Sequence, residues 1–162
     1  MNLLVMGVTG SGKSTVGLLL AERLGWVYLE ADNYHSAANK EKMRRGIPLR
    51  EADRVPWLEA IHAELRTQDV AGKNVVLACS ALREEYRRRL TSGLAVKLVY
   101  LRGSKELIAE RLRHRSGHFA GEAILEDQFA VLEEPRNALV VDITETPEKL
   151  VEEILRKIKI NP

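Results

Sequence analysis

Short apolar runs in this chain alternate with longer segments in which apolar residues recur every three or four positions. Five of these runs predict buried strands, at 3–6, 27–29, 75–79, 96–101 and 139–141. The segments between and after them have helical spacing, most clearly residues 147–158, where Leu150, Ile154 and Ile158 share one face. Strands alternating with helices predict an α/β fold of three layers (α/β/α), with a five-stranded parallel sheet in the middle. Ligands of such folds bind at the carboxyl ends of the strands.

Residues that favour helix ends sharpen these boundaries. Gly25 predicts the end of the first helix. Asp53 is a suitable N-cap for a helix that would hold Pro56 in its first turn, and Ser80 occupies the same position before an arginine-rich helix. Thr146 predicts the start of the last helix, with a proline directly after it.

Length and composition predict one domain, 1–162, large enough for a substantial core. The formal net charge is +2, and basic residues are interleaved with acidic ones, so we expect neither a nucleic-acid nor a membrane partner. Cys79 is the only cysteine, which suits a reducing compartment. The apolar start lacks the features of a signal peptide and no apolar run reaches membrane-spanning length, so we expect a cytoplasmic protein.

The first strand leads directly into a phosphate-binding loop. Residues 7–14 fit the pattern G-x-x-x-x-G-K-[ST] at every fixed position, between a predicted strand and a predicted helix. Glycines allow the backbone to approach a polyphosphate closely, and the helix start supplies amide groups that bind anions. Lys13 is expected to contact the β- and γ-phosphates, and the Ser14 hydroxyl is expected to bind Mg²⁺. The residues expected to bind the nucleotide here are Gly7, Thr9, Gly10, Ser11, Gly12, Lys13, Ser14 and Thr15.

Two acidic residues follow the second strand, and they are candidates for metal binding and proton transfer. If the segment stays extended, Glu30 and Asp32 point the same way because alternate residues of a strand share a face. One carboxylate could then hold hydrated Mg²⁺ while the other accepts a proton from an attacking hydroxyl. We assign the metal to Glu30 and the proton transfer to Asp32. The competing interpretation is a polar strand end that faces water.

A basic segment late in the chain predicts a lid over the site. Arg111 and Arg115 are four residues apart and share a helical face, and Gly117 offers a hinge. Arginines that close over a transferring phosphoryl group neutralise its charge, so both are candidate catalytic residues. We place the lid at about 114–122. The alternative is a solvated helix end.

A phosphate loop alone does not separate kinases from other nucleotide-binding proteins. The guanine-specific pattern N-K-x-D is missing, because residues 39–42 read N-K-E-K. The third strand ends in Cys79-Ser80 where a Walker B acid would stand, and Asp142 after the fifth strand imitates that acid. We interpret Asp142 as a turn residue.

Several further motifs together resemble the gluconokinase family, over nearly the whole chain. Besides the phosphate loop, the resemblance is carried by D-x-x-H at 32–35, G-I-P-L at 46–49, D-R-V-P-W-L at 53–58, C-S-A-L-R at 79–83, H-F at 118–119, Q-F at 128–129 and L-E-E-P at 132–135. The family has the nucleoside-monophosphate-kinase or shikimate-kinase-like fold with a lid. The resemblance implies transfer of the γ-phosphoryl group of ATP, with Mg²⁺, to the 6-hydroxyl of D-gluconate.

The same resemblance implies roles for individual residues. Asp32 would be the base or hydroxyl-orienting group, and Arg54 would pair with the substrate carboxylate. A helical segment at about 33–66 would bind the substrate, and Arg111 would also lie near the adenine. The residues implied to bind the sugar acid are Asp32, His35, Arg54, Ser80, Arg83, Arg115, His118 and Gln128. Members of the family are often homodimers.

The chain departs from the family pattern at four positions, and two other functions stay open. Glu30-Ala31 stands where the family commonly has Asp-Gly, Ser36 replaces a proline, and Asp127 replaces a serine. One alternative is a shikimate or nucleoside-monophosphate kinase of the same fold. The other is a nucleotide- or RNA-binding module that uses the arginines of residues 83–89, although acidic residues interrupt that patch.

Overall fold

The computed structural model describes residues 1–116 and 120–158, with backbone alone at 115–116 and 120–122. In this part of the chain five strands form one parallel sheet, in the order β2-β3-β1-β4-β5. The strands are β1 (Asn2–Met6), β2 (Val27–Glu30), β3 (Val75–Ala78), β4 (Val96–Arg102) and β5 (Ala138–Asp142). The predicted strands and their parallel arrangement are confirmed.

Helices connect the strands in the order that the sequence predicts. The described residues form α1 (Lys13–Leu24), α2 (Ala37–Arg44), α3 (Glu51–Val70), α4 (Glu84–Thr91), α5 (Lys105–Ser116), α6 (Ala120–Val131) and α7 (Pro147–Ile158), with a short 3-10 helix at Ala31–Tyr34. Gly25, in the left-handed conformation, ends α1 as predicted. No helix in the described ranges is long and apolar enough to cross a membrane.

The sheet is packed on both faces, as strands of parallel sheets generally are. On one face, Leu3, Val5 and Val99 pack with side chains of α1, α5 and α7. On the other face, Leu4 and Leu77 pack with side chains of α3 and α4. The central strand β1 is therefore fully buried, and the phosphate loop follows its carboxyl end.

Two predicted N-caps are wrong, for related reasons. The N-cap of α3 is Arg50, and Asp53 lies three residues later, where its carboxylate accepts a hydrogen bond from the Arg50 amide at 2.9 Å. Pro56 is consequently the sixth residue of α3, beyond its first turn. Ser80 is not an N-cap either, because α4 begins at Glu84 and a non-helical segment, with Ala81 at φ 45°, separates them.

Candidate active site

The phosphate loop lies between β1 and α1, as its pattern predicts. Gly12 precedes α1 with φ 96°, and no side chain caps the first amides of the helix. Gly10 also has positive φ, and a Cβ on it would lie 2.9 Å from Leu112 of α5. A side chain at Gly10 would therefore strain the backbone and clash with α5, while the helix start stays available to an anion.

A cavity of about 280 Å³ opens above this loop at the carboxyl ends of the strands. Its lining combines the loop with the ends of β2 and β3 and with one residue of α6. The lining residues are Thr9, Gly10, Gly12, Lys13, Ser14, Thr15, Glu30, Asp32, Cys79, Ser80 and Gln128. The structure thus brings six of the predicted nucleotide-binding residues together with both predicted acids. Gly7 and Ser11 lie outside this lining.

Lys13 is the cation among the described residues that line the cavity. Its ammonium group donates a hydrogen bond to the Val8 carbonyl at 3.0 Å, which holds it against the loop. Burial lowers the pKa of Lys13, whereas the nearby Cys79, Asp32 and Glu30 act in the opposite direction. A phosphate group entering here would meet this ammonium together with the free amides of α1.

Glu30 connects the loop to the end of β2. Its Oε2 atom accepts hydrogen bonds from the Ser14 hydroxyl at 2.6 Å and from the Tyr28 hydroxyl at 2.5 Å. Burial, followed by the hydrogen bond to Glu30, raises the pKa of Tyr28 well above its ordinary value, so its hydroxyl stays a donor. The Tyr28 ring also contacts α1, because a Cβ on Gly17 would lie 2.9 Å from it.

The oxygen atoms at this point suit Mg²⁺. In nucleotide sites this ion usually takes one or two protein oxygens and completes its shell with phosphates and water. Ser14 Oγ and the Glu30 carboxylate supply such oxygens beside the phosphate loop. No group of three or more His, Cys, Asp or Glu side chains within residues 1–116 and 120–158 could form a cage for a metal. The donor set therefore fits a metal that arrives with a nucleotide.

The expectation that Glu30 and Asp32 project alike from an extended strand is wrong. β2 ends at Glu30, and Asp32 is the second residue of the 3-10 helix, whose backbone turns away from the strand. Both carboxylates nevertheless line the same cavity. Asp32 is exposed, so it can meet an incoming hydroxyl.

His35 and Trp57 form the start of a second wall, beside the cavity. Their rings are stacked with centroids 4.3 Å apart, and the Trp57 indole donates to the Ala31 carbonyl at 2.8 Å. Burial lowers the pKa of His35, and the nearby Asp32 acts in the opposite direction. A neutral imidazole is therefore held close to Asp32, although it does not line the phosphate cavity.

Arg54, the predicted partner of a substrate carboxylate, lies further along this wall. Its guanidinium is 3.4 Å from Glu51 Oε1 and 6.0 Å from the centre of the Tyr86 ring. Tyr86 donates to the same Glu51 oxygen at 2.5 Å. Arg83 is half-buried at the N-cap of α4 and does not line the cavity.

Gln128 and Arg111 approach the loop from the helices α6 and α5. Gln128 Oε1 accepts a hydrogen bond from the Thr9 amide at 2.6 Å, which ties α6 to the phosphate loop. Arg111 lies instead in a second cavity of about 300 Å³, where its guanidinium donates to the Ile143 carbonyl. Gly12 lines both cavities, and Ser11 lines the second one, so the two spaces meet at the start of α1.

Parts of the predicted lid lie outside the described residues. This applies to Gly117, His118 and the side chain of Arg115. The described ends of the segment belong to α5 and α6, which a salt bridge of 2.9 Å between Lys105 and Glu126 connects.

Two arginines of the arginine-rich helix α4 have partners within the protein. Arg87 is only 6% exposed, and its guanidinium donates to the carbonyls of Ala81 and Glu133 at 2.6 and 2.8 Å. Arg89 is paired with Glu85.

The Asp142 carboxylate, at the end of β5, accepts a hydrogen bond from the Thr144 amide at 3.0 Å, as expected of a turn residue.

Sequence reasoning missed three residues that support the site: Tyr28, Asn39 and Trp57. The sequence shows Tyr28 only as part of a strand, Trp57 as part of a family motif and Asn39 as part of the incomplete guanine pattern. Each acts by a hydrogen bond to a group that spacing does not reveal. For Tyr28 a signal was available, since alternation along β2 places it on the same side of the strand as Glu30.

Fold and site together define a phosphate-loop phosphotransferase of the small-molecule kinase type. A family profile described as an AAA domain matches residues 3–135. A probable gluconokinase from Rattus norvegicus is 47% identical over 82% of each chain. A gluconokinase from Gluconobacter oxydans is 44% identical over 95% of this chain and 89% of the relative. The crystal structure of a gluconokinase from Sinorhizobium meliloti superposes with a TM-score of 0.85, at 40% identity, over 96% of this chain and 89% of that one. The chain belongs to the gluconokinase family.

Proposed function

We propose that the protein is an ATP-dependent gluconokinase, which transfers the γ-phosphoryl group of ATP to the 6-hydroxyl of D-gluconate. The products are 6-phospho-D-gluconate and ADP. The observation that carries this proposal is the single cavity in which Lys13 and the free amides of α1 face Asp32, in a chain of the gluconokinase family. A phosphate donor and a hydroxyl acceptor can meet only where both kinds of group share one space.

The phosphate side binds the nucleotide through the loop and Lys13. The residues assigned to it are Gly7, Thr9, Gly10, Ser11, Gly12, Lys13, Ser14 and Thr15. Ser14 and Glu30 would hold Mg²⁺, and the bound ion would neutralise charge on the phosphates. The second cavity, with Arg111 at its edge, is the space that the base of the nucleotide would fill.

The acceptor side orients the sugar acid. Asp32 accepts the proton of the 6-hydroxyl as that oxygen attacks the γ-phosphorus. The bond between the γ-phosphorus and the bridging oxygen breaks, and ADP leaves with its electron pair. His35 and Arg54 bind the rest of the acceptor, Arg54 through the carboxylate. Ser80, Arg83 and Gln128 are assigned to the same side.

The proposed lid would bring further charged residues to the site. Arg115 and His118, with Arg111, would approach the phosphates and the sugar acid when the segment at about 114–122 closes. For Arg111 this contact with the phosphates requires that its hydrogen bond to the Ile143 carbonyl break, whereas its role beside the adenine does not.

A coupled assay of ADP release tests the function directly. Purified protein with Mg²⁺·ATP should turn over D-gluconate, and shikimate and AMP should give no ADP above background. Turnover of shikimate or AMP without gluconate would overturn the substrate assignment. Salt-sensitive RNA binding without any turnover would overturn the enzymatic assignment.

We further infer a cytoplasmic location and a homodimer. The lone Cys79, which is free and buried, supports a reducing compartment, where ATP is also available. The family resemblance supports the dimer. Fractionation of cells and light scattering of the purified protein test these two inferences.

A further inference from the structure

Asn39 of α2 lies between His35 and the first turn of α3. Its side chain is 5% exposed, and its Nδ2 atom is 2.9 Å from the carbonyl oxygen of Asp53 and 3.3 Å from Nδ1 of His35. The Asn39 backbone is fixed as well, because its amide donates to the Ser36 hydroxyl at 3.0 Å. One amide group thus connects a candidate substrate-binding residue to the backbone of another helix.

The Asp53 carbonyl determines which way the Asn39 amide is turned. A carbonyl oxygen can only accept a hydrogen bond, so it must face the NH₂ group of Asn39 and not its oxygen. The second hydrogen of this NH₂ group is then directed at His35 Nδ1. Because it is a donor, it requires a lone pair on that nitrogen.

This requirement leaves one protonation state for His35. A neutral imidazole carries one hydrogen, and with Nδ1 as acceptor that hydrogen must be on Nε2. An imidazolium would place an N–H of His35 against an N–H of Asn39. The stacking on Trp57 and the 8% exposure of His35 disfavour the charged form too, because burial lowers the pKa of this imidazole.

His35 Nε2 is free to meet a ligand. It has no hydrogen-bond partner in the described part of the chain. The buried side-chain nitrogen and oxygen atoms that lack a partner there are Asn2 Nδ2 and Ser11 Oγ, so His35 Nε2 keeps contact with solvent. The charge of Asp32, which lines the cavity, acts on the same imidazole.

We propose that Asn39 is a positioning residue that holds His35 as the Nε2–H tautomer, so that His35 donates a hydrogen bond to an acceptor oxygen of the bound sugar acid. Only the identity of that oxygen rests on the proposed function. The tautomer itself is a property of the protein without substrate. The assignment also limits selectivity, because a ligand that offers only a donor at this point would find no acceptor.

Nitrogen NMR of the full chain, labelled with ¹⁵N-histidine, tests the tautomer without any substrate. The protein has four histidines, and the signals that His35→Gln removes identify His35. At neutral pH we expect an unprotonated Nδ1 and a protonated Nε2. A protonated Nδ1, or averaged signals of both tautomers, would overturn the proposal, and it would do so even if gluconate were not the substrate.

Two variants separate positioning from a merely structural role. Asn39→Ala removes the donor, so the His35 signals should move to an average of both tautomers, and KM for gluconate should rise about tenfold while KM for ATP stays unchanged. Asn137→Ala, at an exposed asparagine directly before β5, is the matched control and should change neither. Unchanged His35 signals in folded Asn39→Ala would contradict the role of Asn39, whatever happens to the kinetics.

Discussion

The candidate active site is a crevice with two walls, which are built in different ways. We call the phosphate loop with the start of α1 the phosphate wall, and the side chains around His35, Trp57 and Arg54 the acceptor wall. The phosphate wall consists largely of one continuous loop and the helix start behind it, and it offers backbone amides and Lys13 to an anion. The acceptor wall consists of side chains from α2, α3 and α4 that contact one another, as in the Lys42–Asp53 pair at 2.9 Å and the Arg54–Glu51 pair at 3.4 Å.

This difference indicates which wall selects the acceptor substrate. A backbone cradle offers the same amides to any phosphate, so it identifies a class of donor. The Lys42–Asp53 and Arg54–Glu51 pairs of the acceptor wall are already formed, so a ligand must offer a better arrangement than the pair it replaces. We therefore expect damage to the phosphate wall to lower kcat and damage to the acceptor wall to raise KM for gluconate.

Asp32, at the junction of the walls, should show the largest effect. Asp32→Asn removes the proton acceptor and should lower kcat about 10²–10⁴-fold. Nucleotide binding, measured by calorimetry, should persist because the loop is intact. Asp69→Asn, near the far end of α3, is the control. Wild-type kcat in Asp32→Asn would show that Asp32 does not take part in the reaction.

Lys13→Ala tests the phosphate wall itself. Loss of a preorganised cation at developing phosphate charge should lower kcat about 10²–10³-fold. Lys73→Ala, at an exposed turn, should leave steady-state kinetics unchanged. If Lys13→Ala raised only KM for gluconate, the contrast between the walls would fail.

Arg54→Ala tests the acceptor wall. Removal of a charged hydrogen-bond donor should raise KM for gluconate about tenfold or more, with little change in KM for ATP. Arg66→Ala on the same helix is the control. Glu51→Gln should instead leave KM for gluconate equal or lower, because it releases Arg54 from its partner. An effect of Arg54→Ala confined to ATP would place Arg54 on the other wall.

Tyr28→Phe should have the smallest effect, and one specific to the metal. The ring can still pack on α1, but Glu30 loses one of its two hydroxyl donors. We expect the Mg²⁺ concentration for half-maximal rate to rise about three- to tenfold, with kcat restored at saturating Mg²⁺. Mn²⁺ titration followed by paramagnetic resonance measures the binding directly. Tyr34→Phe, whose hydroxyl has no hydrogen-bond partner in the described residues, is the control.

The phosphate wall could be predicted from the sequence because its geometry is local. Its glycines, Lys13 and Ser14 are fixed by spacing, and the buried strand before them is an unbroken apolar run. The meeting of Asp32 with this loop also followed from the rule that ligands bind at the carboxyl ends of parallel strands. The phosphate-loop pattern covers only eight residues, so it could not show that Gln128 contacts the Thr9 amide, which lies 119 positions earlier in the chain.

The acceptor wall was predicted less well because tertiary contacts override local preferences there. Asp53 suits an N-cap, yet its carboxylate also binds Lys42 of α2, and α3 begins at Glu51 with Asp53 in its first turn. Ser80 suits an N-cap as well, but the backbone of Ala81 adopts positive φ and α4 starts later. The residues implied by resemblance, His35 and Arg54, do lie on one wall, whereas the hydrogen bonds of Asn39 required the structure.

The thiol of Cys79 offers a chemical probe of access to this crevice. It lines the phosphate cavity, it is the single thiol of the chain, and burial raises its pKa to about 12. Alkylating reagents attack the thiolate, so the rate of modification reports how often the crevice exposes this side chain. Comparing that rate without ligand, with nucleotide and with both substrates would show whether bound ligands shield Cys79, without an attached dye.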